Sequence, residues 1–332
     1  MKKILNDPFK YVDEMLEGLC LAHPDLYCQT GESGRVITRN SEIEEGKVGI
    51  VSGGGSGHLP IFTGYVGKGL LDACAIGDVF ASPSVDQMAD AMRAANGGVG
   101  VLRLYGNYGG DIMNFDMAGE MLEMEDITST TVLLADDVAS APKHERNKRR
   151  GVAGMVYAFK IAGAAAEQKK SLEDVTRIAQ KTADACHSVG AALTSCTVPQ
   201  AGKPTFEISE EDMEMGMGIH GEPGVWRGNL KKADNIANEM VDMLLADINA
   251  VSGDRMSVLV NSLGATPQEE LYILYRILKE RLESVGVKIV MPLVGRYATS
   301  MEMTGVSFTF CELDDELEDL LLEPAHCAFW TV

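Results

Sequence analysis

The chain has 332 residues and a formal net charge of −20, with 29 Lys+Arg against 49 Asp+Glu. At 45% hydrophobic and 23% charged residues it lies outside the disordered class, and its length suggests two domains, either able to bury a sizeable core. The acidic balance argues against nucleic-acid binding, which needs clustered Lys and Arg to neutralise phosphates; the one basic cluster, Lys143 to Arg150 (KHERNKRR), reads as a solvated loop or helix end.

The N-terminus, Met1 to Pro8, has charge but no long apolar core, so no signal peptide is expected. No apolar run reaches the roughly 18 residues of a spanning helix, and the expected compartment is the cytoplasm. Lys47 to Ser52 reads as a buried strand, with Ser52 opening a SGGGSGH loop. Pro83 to Ala95 suits a helix, Gly98 to Leu104 a strand, Asp116 to Met124 a helix and Thr131 to Ala135 a third strand. This rhythm implies a mostly parallel sheet between helical layers. Ala191 to Val198 suits a strand, and Gly202 to Gly228 is loop-rich. Ile236, Met240, Val241, Leu244, Leu245 and Ile248 mark one helix face. Met256 to Val260 suits a strand. Thr266 then serves as N-cap of a helix with Pro267 in its first turn, running to about Ser284 and stopped by Gly286. Strands near Val287–Val294 and Val306–Phe310 complete a second unit. The fold class expected is α/β with two different domains: a three-layer first domain with a mostly parallel sheet (1–190) and a smaller mixed-sheet domain (191–332), the boundary lying between 180 and 205. The seven cysteines, with no CxxC pair, read as reduced, mostly buried residues rather than disulfide or zinc ligands.

Three stretches could carry chemistry. Ser52 to His58 follows a strand, and glycines there let backbone N–H groups approach a ligand oxygen at the carboxyl edge of the sheet. It is no Walker loop, because no Gly-Lys-Ser/Thr opens a helix; Gly67-Lys68-Gly69 lacks the hydroxyl. Asn107 to Asp111 (NYGGD) places a carboxylate, held by glycine turns, where it can take a proton from a substrate hydroxyl. Gly216 to Gly224 (GMGIHGEPG) sets His220 among glycines, so its imidazole is open to a small ligand and can act as nucleophile toward an activated carbonyl. His23, His144, His187 (in a helical stretch) and His326 read as structural. Met213, Met215 and Met217 suggest an adaptable wall.

SGGGSGH, NYxGD and GxGIHGEPG in this order resemble the dihydroxyacetone-binding subunit of bacterial dihydroxyacetone kinases, and the resemblance runs end to end. Asp136 to Ala139, Arg149 to Ala153, Cys196 to Pro199, Gly202 to Pro204 and Leu263 to Pro267 also fit. The resemblance implies that His220 adds to the ketone carbon of dihydroxyacetone as a hemiaminal. It further implies that Gly55, Ser56, Gly57 and His58 bind substrate oxygens, and that Asp111 is the base, assisted by His58. It implies a homodimer that binds no nucleotide or metal itself. It implies a helical partner subunit that carries ADP or ATP with magnesium and, in many bacteria, a phosphotransferase-system subunit that recharges that nucleotide. Two positions depart from the pattern: Gly106 stands where lysine is common and Leu59 where glutamate is common, which raises a four-carbon ketose such as erythrulose, or a non-catalytic ketose-binding sensor, as alternatives.

Overall fold

The computed structural model describes residues 2–332. The first sheet has six strands in the order β1-β2-β4-β3-β5-β6: β1 (Tyr27–Thr30), β2 (Val36–Arg39), β3 (Gly49–Ser56), β4 (Ala73–Val79), β5 (Val101–Gly106) and β6 (Ser129–Leu134). The β4-β3-β5-β6 core is parallel, and β1-β2 adds an antiparallel edge. Every residue of β3 is buried, as expected of a parallel strand covered on both faces. Val51 turns toward α2 (Val85–Ala95) and α3 (Gly109–Glu123), among Met88, Met92 and Phe115. Ile50 turns the opposite way, toward α1 (Tyr11–Ala22), α4 (Gly154–Glu167) and α5 (Leu172–Ala185).

The second sheet begins with β7 (Cys186–Ala192). It continues through β8 (Asp212–Met215), β9 (Trp226–Asn229), β10 (Arg255–Ser262), β11 (Lys288–Ile289), β12 (Leu293–Gly295) and β13 (Gly305–Leu313). Its order is β11-β10-β13-β7-β8-β9 with β12 also on β10, and its pairing is mixed. Helices α6 (Ala233–Asp247) and α7 (Gln268–Ser284) cover one face. The other face meets α4, which is buried from Gly154 to Ala166. A helix apolar all round is one packed on every side, and α4 shares a core with both sheets. The Ser257 hydroxyl on β10 bonds the Tyr157 hydroxyl on α4 at 3.0 Å. The last helix, α8 (Asp315–Leu322), also packs on α4, and the tail pairs back at Lys68–His326. No described helix is long and apolar enough to cross a membrane.

Several expected elements differ. The Ser52–Ser56 run is strand, not loop, because its glycines continue the ladder to β4. At Gly55 a Cβ would lie 2.7 Å from the Ala81 nitrogen, so only glycine lets the Phe80–Ala81 turn close over the strand. Helix α3 starts at Gly109, seven residues before Asp116, so Asp111 sits in its first turn rather than in a glycine turn. His187 lies in β7, with Nδ1 2.7 Å from Asp247 Oδ2. Thr266 caps no helix; its hydroxyl donates to Gly305 O and accepts from Gly305 N, and Pro267 takes the N-cap place. The strand expected at Val287–Val294 splits into β11 and β12. The KHERNKRR cluster is a solvated helical turn over Lys143–Lys148, with no residue buried, but its last two residues depart: Arg149 is buried on Asp247, and Arg150 pairs with Asp137. All seven cysteines are unpaired, five of them buried.

Candidate active site

In the first sheet β4 and β5 flank β3 on opposite sides, so the order in which strands are added reverses there, and a crevice opens beyond the carboxyl ends of β3 and β5. Ser56, Gly57 and His58 leave β3 into this crevice, while Asn107 to Asp111 leave β5 into α3. The opposite wall is the β8–β9 connection, Gly216 to Val225, which carries His220.

His58 Nδ1 lies 2.7 Å from the carbonyl of Thr299. A carbonyl only accepts, so the proton is on Nδ1 and the lone pair on Nε2. That Nε2 is buried without a hydrogen-bond partner among the described residues. Burial, followed by the nearby His220, lowers the His58 pKa to about 3, so the ring is a neutral acceptor. Its backbone is tied to the second half of the chain by Met301 N to Gly57 O at 2.7 Å and the Thr299 hydroxyl to Leu59 O at 3.0 Å.

His220 Nδ1 is 3.0 Å from Glu222 Oε1, and the His220 backbone N–H donates to Glu222 Oε2 at 2.9 Å. The carboxylate fixes the Nδ1–H tautomer and leaves Nε2 as a lone pair. Burial raises the Glu222 pKa, but the His220 hydrogen bond and charge, together with Arg150, outweigh it and hold it at about 2. Gly218 makes this close approach possible, since a Cβ there would sit 2.3 Å from Glu222 Oε2. The His220 ring meets three others edge-on: His58 at 4.8 Å, Tyr108 at 4.8 Å and Phe80 at 5.3 Å between centroids. Phe80 also stacks on His58 at 4.9 Å.

Asp111 is raised to about 6, first by burial, with the Ser82 hydroxyl and His220 pulling the other way. Its Oδ1 is buried and unpartnered among the described residues. A carboxyl poised near neutrality with a free oxygen is suited to proton transfer. His58 and His220 are thus in ring contact, and Asp111 lies within electrostatic reach of His220. Gly55, Ser56 and Gly57 lead directly into this cluster.

Glu222, Arg150, Phe80, Tyr108, Ser82 and Thr299 were not singled out by the sequence. Glu222 and Arg150 carried a signal: one lies two residues after His220, and the other belongs to the Arg149–Ala153 stretch that fits the family. Phe80, Ser82 and Thr299 carried none, because they arrive from distant loops. The position of Gly106 is also clarified. A Cβ there would meet the Tyr108 ring at 3.1 Å and the Met155 sulfur at 3.5 Å, so the backbone at this point runs close beside both side chains.

The sequence profile of the Dak1 domain matches residues 17–329. The chain belongs to the Dak1 family. Within that family it is 43% identical over 331 residues to the dihydroxyacetone-binding subunit DhaK of PTS-dependent dihydroxyacetone kinase 1 from Listeria innocua, covering 99% of this chain and 100% of that one. The crystal structure of the dihydroxyacetone kinase of C. freundii superposes with a TM-score of 0.91 at 33% identity, over 99% of this chain and 60% of that one. Another solved structure, the dihydroxyacetone kinase operon co-activator Dha-DhaQ, superposes with a TM-score of 0.87 at 32% identity, over 94% and 96% of the two chains. The α/β architecture of two sheets, one mostly parallel and one mixed, is that of these kinase structures.

Proposed function

We propose that this chain is the ketose-binding and catalytic subunit of a dihydroxyacetone kinase. The observation that carries the reading is His220: Glu222 holds its Nδ1–H, and its ring touches His58, whose own Nε2 is buried and unpartnered. In the proposed reaction His220 Nε2 bonds the ketone carbon, the carbonyl electron pair moves to oxygen, and that oxygen takes up a proton. The imidazolium character left on the ring is stabilised by Glu222. A polyol such as glycerol has no carbonyl to accept this bond, which gives the selectivity. His58 Nε2 accepts from a substrate hydroxyl, and the backbone of Gly55, Ser56 and Gly57 lines the same end. Asp111 takes the proton of the hydroxyl that attacks phosphorus. The phosphoryl group comes from a nucleotide with magnesium on a partner subunit, itself recharged by a phosphotransferase-system protein, and catalysis is positioning plus charge stabilisation. We keep 1–190 and 191–332 as the proposed domains of a cytoplasmic homodimer.

The match to a co-activator, with Gly106 and Leu59 at two site-flanking positions, favours one second reading: a ketose sensor that forms the adduct without turnover. The deciding experiment supplies the purified chain with its nucleotide-carrying partner, ATP-Mg and a panel of dihydroxyacetone, erythrulose and glycerol. Ketose phosphate should form, His220→Ala should erase discrimination against glycerol, and Asp111→Ala should keep the adduct in intact-mass spectra while slowing transfer roughly 10²–10⁴-fold. Adduct without product for any ketose assigns the sensor, and full activity in Asp111→Ala removes the proposed base.

A further inference from the structure

Against the Ser56–Gly57 turn lies a cavity of about 470 Å³, and its lining includes neither His58, Asp111 nor His220. That is the size of a small-molecule pocket. Its lining includes Leu59, Pro60, Tyr11, Met15, Met301 and Phe329, an apolar floor and sides. Three charged residues also reach it: Lys3, Glu302 and Arg296. The first two neutralise each other, with Lys3 Nζ 2.6 Å from Glu302 Oε2 while Glu302 Oε1 accepts the Thr197 backbone N–H at 2.9 Å. Arg296, an exposed residue, has no ion pair or side-chain hydrogen bond among the described residues. The cavity therefore presents one uncompensated guanidinium above an apolar wall, and its one carboxylate is already occupied.

We propose that this cavity is a second ligand site, for a small organic anion whose carboxylate head pairs with Arg296 and whose short apolar body lies against Leu59, Pro60 and Phe329. A guanidinium presents a planar fork of donors that a carboxylate matches with two oxygens, and Leu59, Pro60 and Phe329 offer apolar surface to the remainder of the ligand. The cavity adjoins the ketose centre, since Ser56 and Gly57, assigned above to the ketose, also line it. Thr299 lines the cavity, while its carbonyl holds His58 Nδ1 and its hydroxyl bonds Leu59 O. An occupant thus presses on the same backbone that aims His58, and by reciprocity any effect on ketose affinity is matched by an equal effect of ketose on the anion.

The test is calorimetric titration of the full chain with hexanoate, with 1-hexanol and inorganic phosphate as probes lacking the charge or the apolar body. Hexanoate should bind, both controls should bind more weakly, and Arg296→Gln should weaken hexanoate about twofold to fivefold, the size of a lost solvent-exposed ion pair. Leu59→Glu should weaken it similarly by placing a competing carboxylate in the cavity, and His220→Ala should leave it unchanged. Arg296 is exposed, so its substitution does not threaten folding, and a melting curve confirms this for each variant. No hexanoate binding, equal binding in Arg296→Gln, phosphate binding as well as hexanoate, or loss in His220→Ala would each overturn the proposal. None of these readouts depends on turnover, so the outcome is independent of whether the chain is a kinase or a sensor.

Discussion

Asp111 carries opposing demands in one side chain. Burial makes its ionised form costly, yet a base must be ionised to accept a proton. Its pKa of about 6, against an ordinary 3.8, leaves it ionised at neutral pH but with appreciable basicity. Because the folded-state value lies above the unfolded one, the fold favours the protonated carboxyl. The stability difference is absent below about pH 3.8 and grows as the pH rises through 6, reaching about 3 kcal/mol. Asp111→Asn, which cannot ionise, should therefore be more stable than the parent to urea at pH 8 by up to about 3 kcal/mol, and by about half that at pH 5. Turnover should fall about tenfold per pH unit below 6 as the base is lost. Equal urea midpoints for the two proteins at pH 8 and pH 5 would show that the carboxyl is not held in an unfavourable setting.

At the scale of elements, packing decides which patterns were readable. The strand cores of β3, β5, β6, β10 and β13 were legible because short apolar runs bounded by glycine are what a doubly covered strand requires. Their ends were not: nothing local distinguishes a glycine loop from the glycine stretch of β3 that must pass beneath Phe80. Helix α4 has little apolar periodicity since both flanks are buried, and β1, β2 and α1 carry mixed edge patterns; none announced itself. The site was legible where a motif holds its own chemistry, as at His58, Asp111 and His220. It was silent where the partner comes from far along the chain, as with Thr299 for His58 and Ser82 for Asp111. Close packing of α4 yields a prediction at this scale. A Cβ on Gly163 would lie 2.5 Å from the Leu70 nitrogen and 2.6 Å from Gly69 O, backbone that cannot rotate aside. Gly163→Ala gains helix propensity of roughly 1 kcal/mol but should still be destabilised by about 1–3 kcal/mol through overpacking, read from chemical unfolding. A stabilised variant would mean the two segments separate easily, and that α4 is not the rigid spine between the sheets.

For the whole molecule, the question is what fixes the two sheets so that rings from each meet within 5 Å. Part of the answer is a buried ionic joint. The Arg149 guanidinium donates twice to Asp247 at the end of α6, at 2.8 and 2.7 Å, and once to Ala141 O, while His187 on β7 shares the same carboxylate. Immediately beside it Arg150 ties Asp137, beyond β6, to the Gly216 carbonyl that starts the His220 connection. Arg149 is only 1% exposed at its side chain, so removing it strands a carboxylate in a site with little water. Arg149→Ala should cost about 3–5 kcal/mol in urea unfolding. The triple variant Arg149→Met, Asp247→Leu and His187→Leu should recover most of that loss, because the groups that share the carboxylate are replaced together by apolar ones that need no partner. A loss below about 1 kcal/mol in the single variant is the value for a solvated surface cation; it would return the cluster to the loop its composition suggests and leave the joint between the sheets to apolar packing alone.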